Sequence, residues 1–341
     1  MPRLRPCLSL LLLFAACDAP PSSTSTATST PTATSTPTPT ASSAPSPSLP
    51  DFSPPPAPSS APPLSPRGLA ERQLDFASQS ARIDRLLPHH LPIRTEDGTF
   101  LIVAAEPSAP LDAAAAVVHD TVTALFHGPF AHRGERAFIV WVFSNPAHYA
   151  SFLTPLVPSA DPKTLGYYDP GMGDIFVCAG AGGVTTVAHE VTHSLLGSDG
   201  DFPLAPMYLQ EGVASLFELP DFQHPVGEIH GKAHFRLQTL RTLLASPDAR
   251  AAADIRLDAL FGMDVGSFRG TDAYIWYAVS REAMRWLDSQ HKLWPFYCAF
   301  RDAILDDPTG EKSFVAVMGK TPAAATPEWL AWIRSPEAEH P

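Results

Sequence analysis

The sequence is short of basic residues and of cysteine, and its N-terminal apolar run is brief. Only 23 residues are Lys or Arg against 35 Asp or Glu, so the formal net charge is −12. That balance argues against binding to nucleic acid and against an electrostatic hold on anionic lipid. The apolar run at residues 8–14 is too short to span a bilayer as a mature helix. No internal repeat is visible.

Residues 1–17 have the layout of an export signal. Two arginines precede the apolar run, and two alanines precede Cys17. The ending resembles the lipobox of bacterial lipoproteins, which implies cleavage before Cys17 and a lipid on that residue. A plain signal peptide cut near the same point is the alternative. We therefore expect an exported protein held at a bacterial membrane, facing the periplasm or the cell surface; Asp18 resembles an inner-membrane retention signal.

The next segment, residues 18–66, consists almost entirely of Ser, Thr, Pro and Ala. It contains too little apolar surface to offset the entropy lost on ordering, so we expect a disordered, partly polyproline-II stalk. The remaining residues, 67–341, are enough for one compact unit, or for two subdomains that together form a catalytic unit. Within them, Cys178 and Cys298 form either one disulfide or two thiols.

Apolar spacing in this unit predicts strands and helices first and helices afterwards. A helix is expected at 67–88, and Ser144 or Asn145 is expected to begin a short helix. The other elements predicted before residue 197 are strands at 99–106 and 136–144, a helix at 110–128, and a hairpin at 165–180. Every later segment has helical spacing, and Thr326 is expected to cap the last helix. This order is typical of the α+β class.

The stretch TTVAHEVTHSLLG at 185–197 has two histidines four residues apart on a predicted helix. Such positions share one face, so His189 and His193 present two imidazole nitrogens to one cation, and imidazole suits Zn²⁺. Glu190 lies about 100° further round, where it reaches activated water rather than the metal, as in H-E-x-x-H peptidases. Two solvated histidines on an ordinary helix are the alternative. The flanking residues are apolar nearly all round, which favours a buried metal site.

Two acidic residues are candidates for a third ligand. Asp199 stands where metzincin enzymes place theirs, but Leu196 occupies the position of their glycine. Glu211 lies in YLQEGVA at 208–214, which resembles the W-L-x-E-G-x-A helix of the gluzincin metallopeptidases. In that helix the glutamate is the third zinc ligand. The resemblance therefore favours Glu211.

With both segments present, residues 97–335 resemble the peptidase-MA-like branch of the gluzincins. The resemblance implies a zincin-like α+β fold: an N-terminal α/β lobe with a small mixed sheet, a mostly helical C-terminal lobe, and an active-site cleft between them. It implies one Zn²⁺ per chain on His189, His193 and Glu211, with Glu190 as general base. It also implies a peptide or protein substrate along an edge strand, for which residues 175–178 are the candidate.

The resemblance further implies a tyrosine or histidine that stabilises the developing oxyanion. Tyr274 is the predicted residue and Tyr277, one turn later, is the alternative; His230 and His234 are weaker candidates. Glu218 either orients a ligand histidine or is a solvated acid at the end of a helix.

The expected activity is therefore that of a zinc metallopeptidase, a hydrolase of peptide bonds. Gluzincin aminopeptidases carry a G-x-M-E-N strand, and its nearest echo here, GMGDI at 171–175, has Asp174 but no such glutamate. Cleavage within peptides, or of another substrate, is favoured over aminopeptidase activity. The alternatives are a catalytically inactive peptidase-like binding module of the cell envelope, or an envelope scaffold without metal. The oligomeric state stays open.

Overall fold

A computed structural model describes residues 66–126, 130, 134, 136–199, 202–218, 220–221, 230–246 and 255–340. The predicted signal peptide and nearly all of the predicted stalk lie outside these residues, and so does Cys17 with its expected lipid. None of the described helices is both long enough and apolar enough to cross a membrane.

A five-stranded mixed sheet forms the first half of the fold. Its strands are β1 (Arg94–Glu96), β2 (Phe100–Ala104), β3 (Phe138–Phe143), β4 (Gly166–Asp169) and β5 (Asp174–Cys178). They are arranged in the order β1-β2-β3-β5-β4. The three inner strands are parallel and every one of their residues is buried, which explains their nearly continuous apolar sequences. The edge strands β1 and β4 pair antiparallel to their neighbours.

The predicted hairpin is confirmed, but the predicted edge strand at 175–178 is wrong. Those residues belong to β5, which hydrogen-bonds to β3 on one side and to β4 on the other. The physical reason is that β5 is apolar on both faces, the pattern of an inner strand. The edge on this side is therefore β4.

Helices pack on the sheet in the first half. They are α1 (Pro66–Leu86), α2 (Leu111–Phe126), α3 (Pro146–Leu156), the one-turn α4 (Ala179–Gly182) and α5 (Thr185–Leu196). Asn145 caps α3, because its side chain accepts hydrogen bonds from the backbone N–H groups of Ala147 and His148. This confirms one of the two predicted caps.

The second half is mostly helical. Its helices are α6 (Met207–Leu216), α7 (Phe235–Ala245), α8 (Leu257–Phe261), α9 (Val265–Phe268), α10 (Ala273–Ser289), α11 (Leu293–Ala303), α12 (Glu311–Met318) and α13 (Pro322–Arg334). A two-stranded ribbon of β6 (Pro220–Asp221) and β7 (His230–Gly231) interrupts them, which the helical spacing did not predict. The predicted α+β class with a small mixed sheet is confirmed.

Two local expectations have definite outcomes. The last helix begins at Pro322 behind the cap Thr321, not at Thr326, because the intervening alanines favour helix and Pro327 is accommodated inside it. The Thr326 hydroxyl donates to the Pro322 carbonyl within that helix. Cys178 is buried at the end of β5 and Cys298 lies in α11; they are thiols, not a disulfide.

Candidate metal centre

Helix α5 presents the two histidines of HEVTH to the same point. Every residue from 187 to 196 is buried, as the apolar flanks predicted, so this helix lies in the core. His189 and His193 are one helical turn apart, and their Nε2 atoms are 3.0 Å from each other. The two nitrogens therefore face a common centre rather than solvent.

Glu211 on α6 completes a cluster of three donor atoms. Its Oε2 atom lies 3.4 Å from Nε2 of His189 and 3.5 Å from Nε2 of His193. Ligand atoms about 2.0–2.1 Å from a tetrahedral zinc ion are about 3.4 Å apart. The two distances from Glu211 match this value, and the 3.0 Å between the two Nε2 atoms is somewhat shorter. The buried residues His189, His193 and Glu211 could therefore hold a metal ion.

Asp199, the other candidate ligand, is engaged elsewhere. Its Oδ2 atom accepts hydrogen bonds from the Tyr297 hydroxyl at 2.8 Å and from the Arg301 guanidinium at 2.9 Å. These contacts fasten the segment after α5 to α11. The structure thus brings Glu211, and not Asp199, to the two histidines.

A close approach of α6 and α10 positions Glu211 against a tyrosine. A Cβ atom on Gly212 would lie 2.7 Å from Cγ of Met284 and 2.9 Å from the Ser280 carbonyl oxygen, so this approach needs glycine. The buried Tyr277 hydroxyl donates to Oε1 of Glu211 at 3.4 Å. Tyr274, one turn earlier on α10, has a side chain that is 45% exposed. The structure therefore places the alternative, Tyr277, beside the cluster.

A second glutamate lies behind His189. Glu218 follows the end of α6, and its Oε1 atom is 3.0 Å from Nδ1 of His189. Its other oxygen forms an ion pair with Arg236 of α7. His234 lies on this side too, with Nε2 3.9 Å from Oε2 of Glu218, while His230 belongs to β7. Glu218 thus contacts His189, as the first of its two predicted roles requires.

The electrostatics of the cluster suit a cation. Burial raises the pKa of Glu211, but His193 and His189 lower it more, to about 2, so this carboxylate is charged. Burial lowers the pKa of His193, which keeps the ring neutral. Burial also lowers the pKa of His189, but Glu211 and Glu218 raise it more, to about 10. A metal ion would therefore have to displace a proton from His189, whereas His193 and Glu211 are already in the deprotonated state that binds metal.

Glu190 lies beside the three donors without belonging to them. Its carboxylate is fully buried; no side chain among the described residues donates a hydrogen bond to it, and the backbone of Tyr168 in β4 is its hydrogen-bonding neighbour. Burial raises the pKa of Glu190 to about 8, although the charge on His189 opposes this. Gly166 of β4 makes room for it, since a Cβ atom there would be 2.5 Å from Oε1 of Glu190. A carboxyl with such a pKa exchanges protons near neutral pH.

Sequence reasoning missed Gly166 and Arg236. A glycine at the start of a strand signals a close approach of another group, which would have drawn attention to Gly166. No local sequence signal points to Arg236, because only the folded chain brings α7 against Glu218.

Asp174 is fully buried in β5 and accepts a 2.7 Å hydrogen bond from Arg82 of α1. Its charge therefore serves the packing of α1 on the sheet.

Comparison with known protein families gives no match to this chain, and comparison with curated proteins gives none either. The gluzincin resemblance therefore rests on HEVTH and YLQEGVA, together with the contacts that join them. Those contacts bring two imidazoles, two carboxylates and one phenol to a single buried centre.

Proposed function

We propose that this protein is a zinc-dependent peptidase of gluzincin type with a zincin-like fold. The observation that carries the proposal is the convergence of His189, His193 and Glu211, with the fully buried Glu190 beside them. A site that only stabilised the fold would not need Glu190. Burying this carboxylate with no cationic side chain paired to it is costly, so a role in the chemistry best explains its presence.

The donor set supports zinc and a catalytic role. Two imidazoles and one carboxylate form a set used by catalytic zinc sites, which leave a coordination position open, whereas structural zinc sites are closed by four ligands, commonly with cysteine. When bound, zinc supplies Lewis acidity, which makes water a nucleophile near neutral pH. The thiols of Cys178 and Cys298 do not belong to the cluster of possible ligands found among the described residues.

The chain's own groups then have distinct tasks. Glu190 accepts a proton from the attacking water and delivers it to the leaving amine nitrogen. The Tyr277 hydroxyl donates a hydrogen bond to the carbonyl oxygen of the substrate as that atom gains negative charge. Burial raises the pKa of Tyr277 well above its usual value, and the charge of Glu211 adds to this, so the hydroxyl keeps its proton. Glu218 orients the ring of His189.

The substrate in this proposal is an extended peptide. Among the described strands, β4 hydrogen-bonds to β5 alone, which leaves its outer edge for an added strand. Gly166 on this strand faces Glu190, so a peptide paired there would pass beside the proposed base. Because Asp174 is paired with Arg82, its carboxylate is not available to bind the free amine of a substrate. This favours cleavage within peptides over aminopeptidase activity.

The cellular setting in this proposal follows from residues 1–66. An export signal, a lipid on Cys17 and a stalk rich in Ser, Thr and Pro would hold the peptidase away from a bacterial membrane. Labelling with a radioactive fatty acid tests the anchor, because Cys17→Ser should abolish incorporation. Incorporation by the variant would contradict it.

Metal analysis of the purified protein tests the zinc site. We expect one zinc per chain in the wild type and in Asp199→Asn, and none in Glu211→Ala after dialysis. Glu328→Ala is a matched control, because the Glu328 side chain is 50% exposed and pairs only with Lys320 on the surface. A wild-type protein that binds no zinc when zinc is supplied would rule out the proposal. Zinc without turnover of a peptide library would indicate the inactive binding module instead.

A further inference from the structure

Arg269 is a cation beside the His189, His193 and Glu211 cluster, and it forms no ion pair with an acid among the described residues. It follows α9, and its side chain is half-buried. Its Nε atom is buried and has no hydrogen-bond partner among the described residues. One terminal nitrogen lies 3.8 Å from Sδ of Met207, a weak acceptor. Leaving such a buried donor unsatisfied is costly, so a group of a bound ligand is expected to accept from it.

Three elements around the cluster place Arg269 there. Its positive charge acts on Tyr167 of β4, on His193 of α5 and on Tyr277 of α10. Met207, whose Sδ atom the guanidinium approaches, lies one turn before Glu211 on the same face of α6, which places the guanidinium beside the cluster. The preceding residue, Phe268, packs edge-on against the Tyr277 ring with centroids 5.2 Å apart. This contact ties the backbone beside Arg269 to the tyrosine that touches Glu211.

Two acids that could pair with Arg269, Asp264 and Glu211, are engaged elsewhere. Both oxygens of Asp264 are used by Ser267, one accepting from its backbone N–H at 3.0 Å and the other from its hydroxyl at 2.7 Å. Glu211 faces the histidines and Tyr277. The guanidinium therefore has a donor left for a partner that arrives from solvent, and its partial exposure leaves it reachable.

We propose that Arg269 binds a carboxylate of the substrate beside the metal centre, so that the protein selects acidic peptides. The inference rests on the proposed peptidase function. A guanidinium holds a carboxylate through two parallel N–H···O bonds, which neutral peptide groups cannot match. The carboxylate is either the free C-terminus of a peptide that ends shortly after the cleaved bond or the side chain of Asp or Glu. Both have the same chemistry, and both satisfy the unpartnered donor.

Binding measured without turnover tests the subsite. The zinc-loaded Glu190→Gln protein is titrated against three N-terminally labelled pentapeptide pools, followed by fluorescence anisotropy. One pool has a free C-terminus and no acidic side chain, one is amidated and contains Asp and Glu, and one is amidated and neutral. We expect one acidic pool to bind roughly 10-fold or more tighter than the neutral pool. The tighter pool identifies the source of the carboxylate.

Substitutions of Arg269 in the Glu190→Gln protein show whether Arg269 causes the preference for acidic peptides. Arg269→Gln should reduce the acidic pool's affinity to that of the neutral pool, while Arg269→Lys should retain part of the preference. Zinc content and melting temperature should stay unchanged, which separates this result from misfolding. Equal binding of all pools, no binding of any, or a preference that survives Arg269→Gln would each overturn the subsite.

Turnover of the same pools by the wild-type protein separates the two proposals. Cleavage of all three pools at equal rates would overturn the proposed subsite but support the proposed peptidase function. An Arg269-dependent preference in binding, with no cleavage by zinc-loaded wild type, would support the subsite and overturn the peptidase.

Discussion

Nδ1 of His189 lies 3.0 Å from Oε1 of Glu218, while Nε2 of the same ring lies 3.4 Å from Oε2 of Glu211. The imidazole is thus held between two carboxylates, one on the metal side and one behind it. A carboxylate behind a ligand histidine sets its orientation and tautomer and increases its basicity. The ion pair of Glu218 with Arg236 holds that carboxylate in turn.

Glu218→Gln should weaken zinc binding roughly 10- to 100-fold, because a neutral amide is a poorer partner for the ring behind the ligand. Competition with a fluorescent zinc chelator measures the change. The surface substitution Glu328→Gln, which breaks only the exposed pair with Lys320, should leave the affinity unaltered. Equal affinities for wild type and Glu218→Gln would show that Glu218 does not support the metal site.

Glu190→Gln should keep one zinc per chain and lose roughly 10²- to 10⁴-fold in turnover, the range for loss of a general base. The amide fits the same buried space but cannot accept the proton. Zinc content, peptide cleavage and melting temperature are measured on one preparation. Loss of zinc together with activity would instead indicate that Glu190 is a ligand.

Gly166→Ala should reduce turnover while zinc is retained. A Cβ atom there would lie 2.5 Å from Oε1 of Glu190 and 2.6 Å from Cγ2 of Thr186, so the carboxylate has to move. Displacement of a reacting group by about 1 Å can cost roughly 10²-fold in rate. Gly262→Ala is a control for glycine replacement in general, since its φ is −86° and the nearest atom to its added Cβ is the Asp258 carbonyl oxygen at an ordinary contact distance of 3.5 Å. Unchanged turnover in Gly166→Ala would show that Glu190 needs no clearance from β4.

Glu106→Gln should lower stability by roughly 1–3 kcal/mol at neutral pH, the range for hydrogen bonds to a charged group. Burial alone would raise the pKa of Glu106, but hydrogen bonds from His148, Ser144 and Asn145 outweigh it and lower the pKa to about 2. A lowered pKa means that this stability is present above the usual value near 4.5 and is lost as pH falls towards 2.

Urea unfolding of wild type and Glu106→Gln at pH values from 2.5 to 7 measures that dependence. The difference between their unfolding free energies should be largest at neutral pH and should shrink on acidification. A difference that grows at low pH would contradict the lowered pKa. Glu328→Gln again provides a surface control, because an exposed pair contributes about 0–1 kcal/mol.

Most of the order of helices and strands was predictable because the signals are local; the short strand β1 and the β6–β7 ribbon were not. Apolar spacing depends on neighbours within one element, and Asn145 caps the helix that it immediately precedes. The position of strands within the sheet is not local. Residues 175–178 looked like an edge, yet β4 folds back outside β5 and becomes the edge itself. The predicted start of the last helix was wrong for a related reason. Two Thr-Pro pairs could begin it, and the alanines between them favour the earlier pair.

The candidate site divides in the same way. Helical periodicity by itself determined that His189 and His193 share a face with Glu190 beside it, because all three lie within one turn. Only tertiary structure decided between the two acids: Arg301, far along the chain, binds Asp199, and the packing of α6 on α5 brings Glu211 to the histidines. The close approach of α6 and α10 at Gly212 placed Tyr277 against that glutamate. Contacts between elements depend on how whole surfaces fit, whereas spacing along one helix depends on the backbone alone.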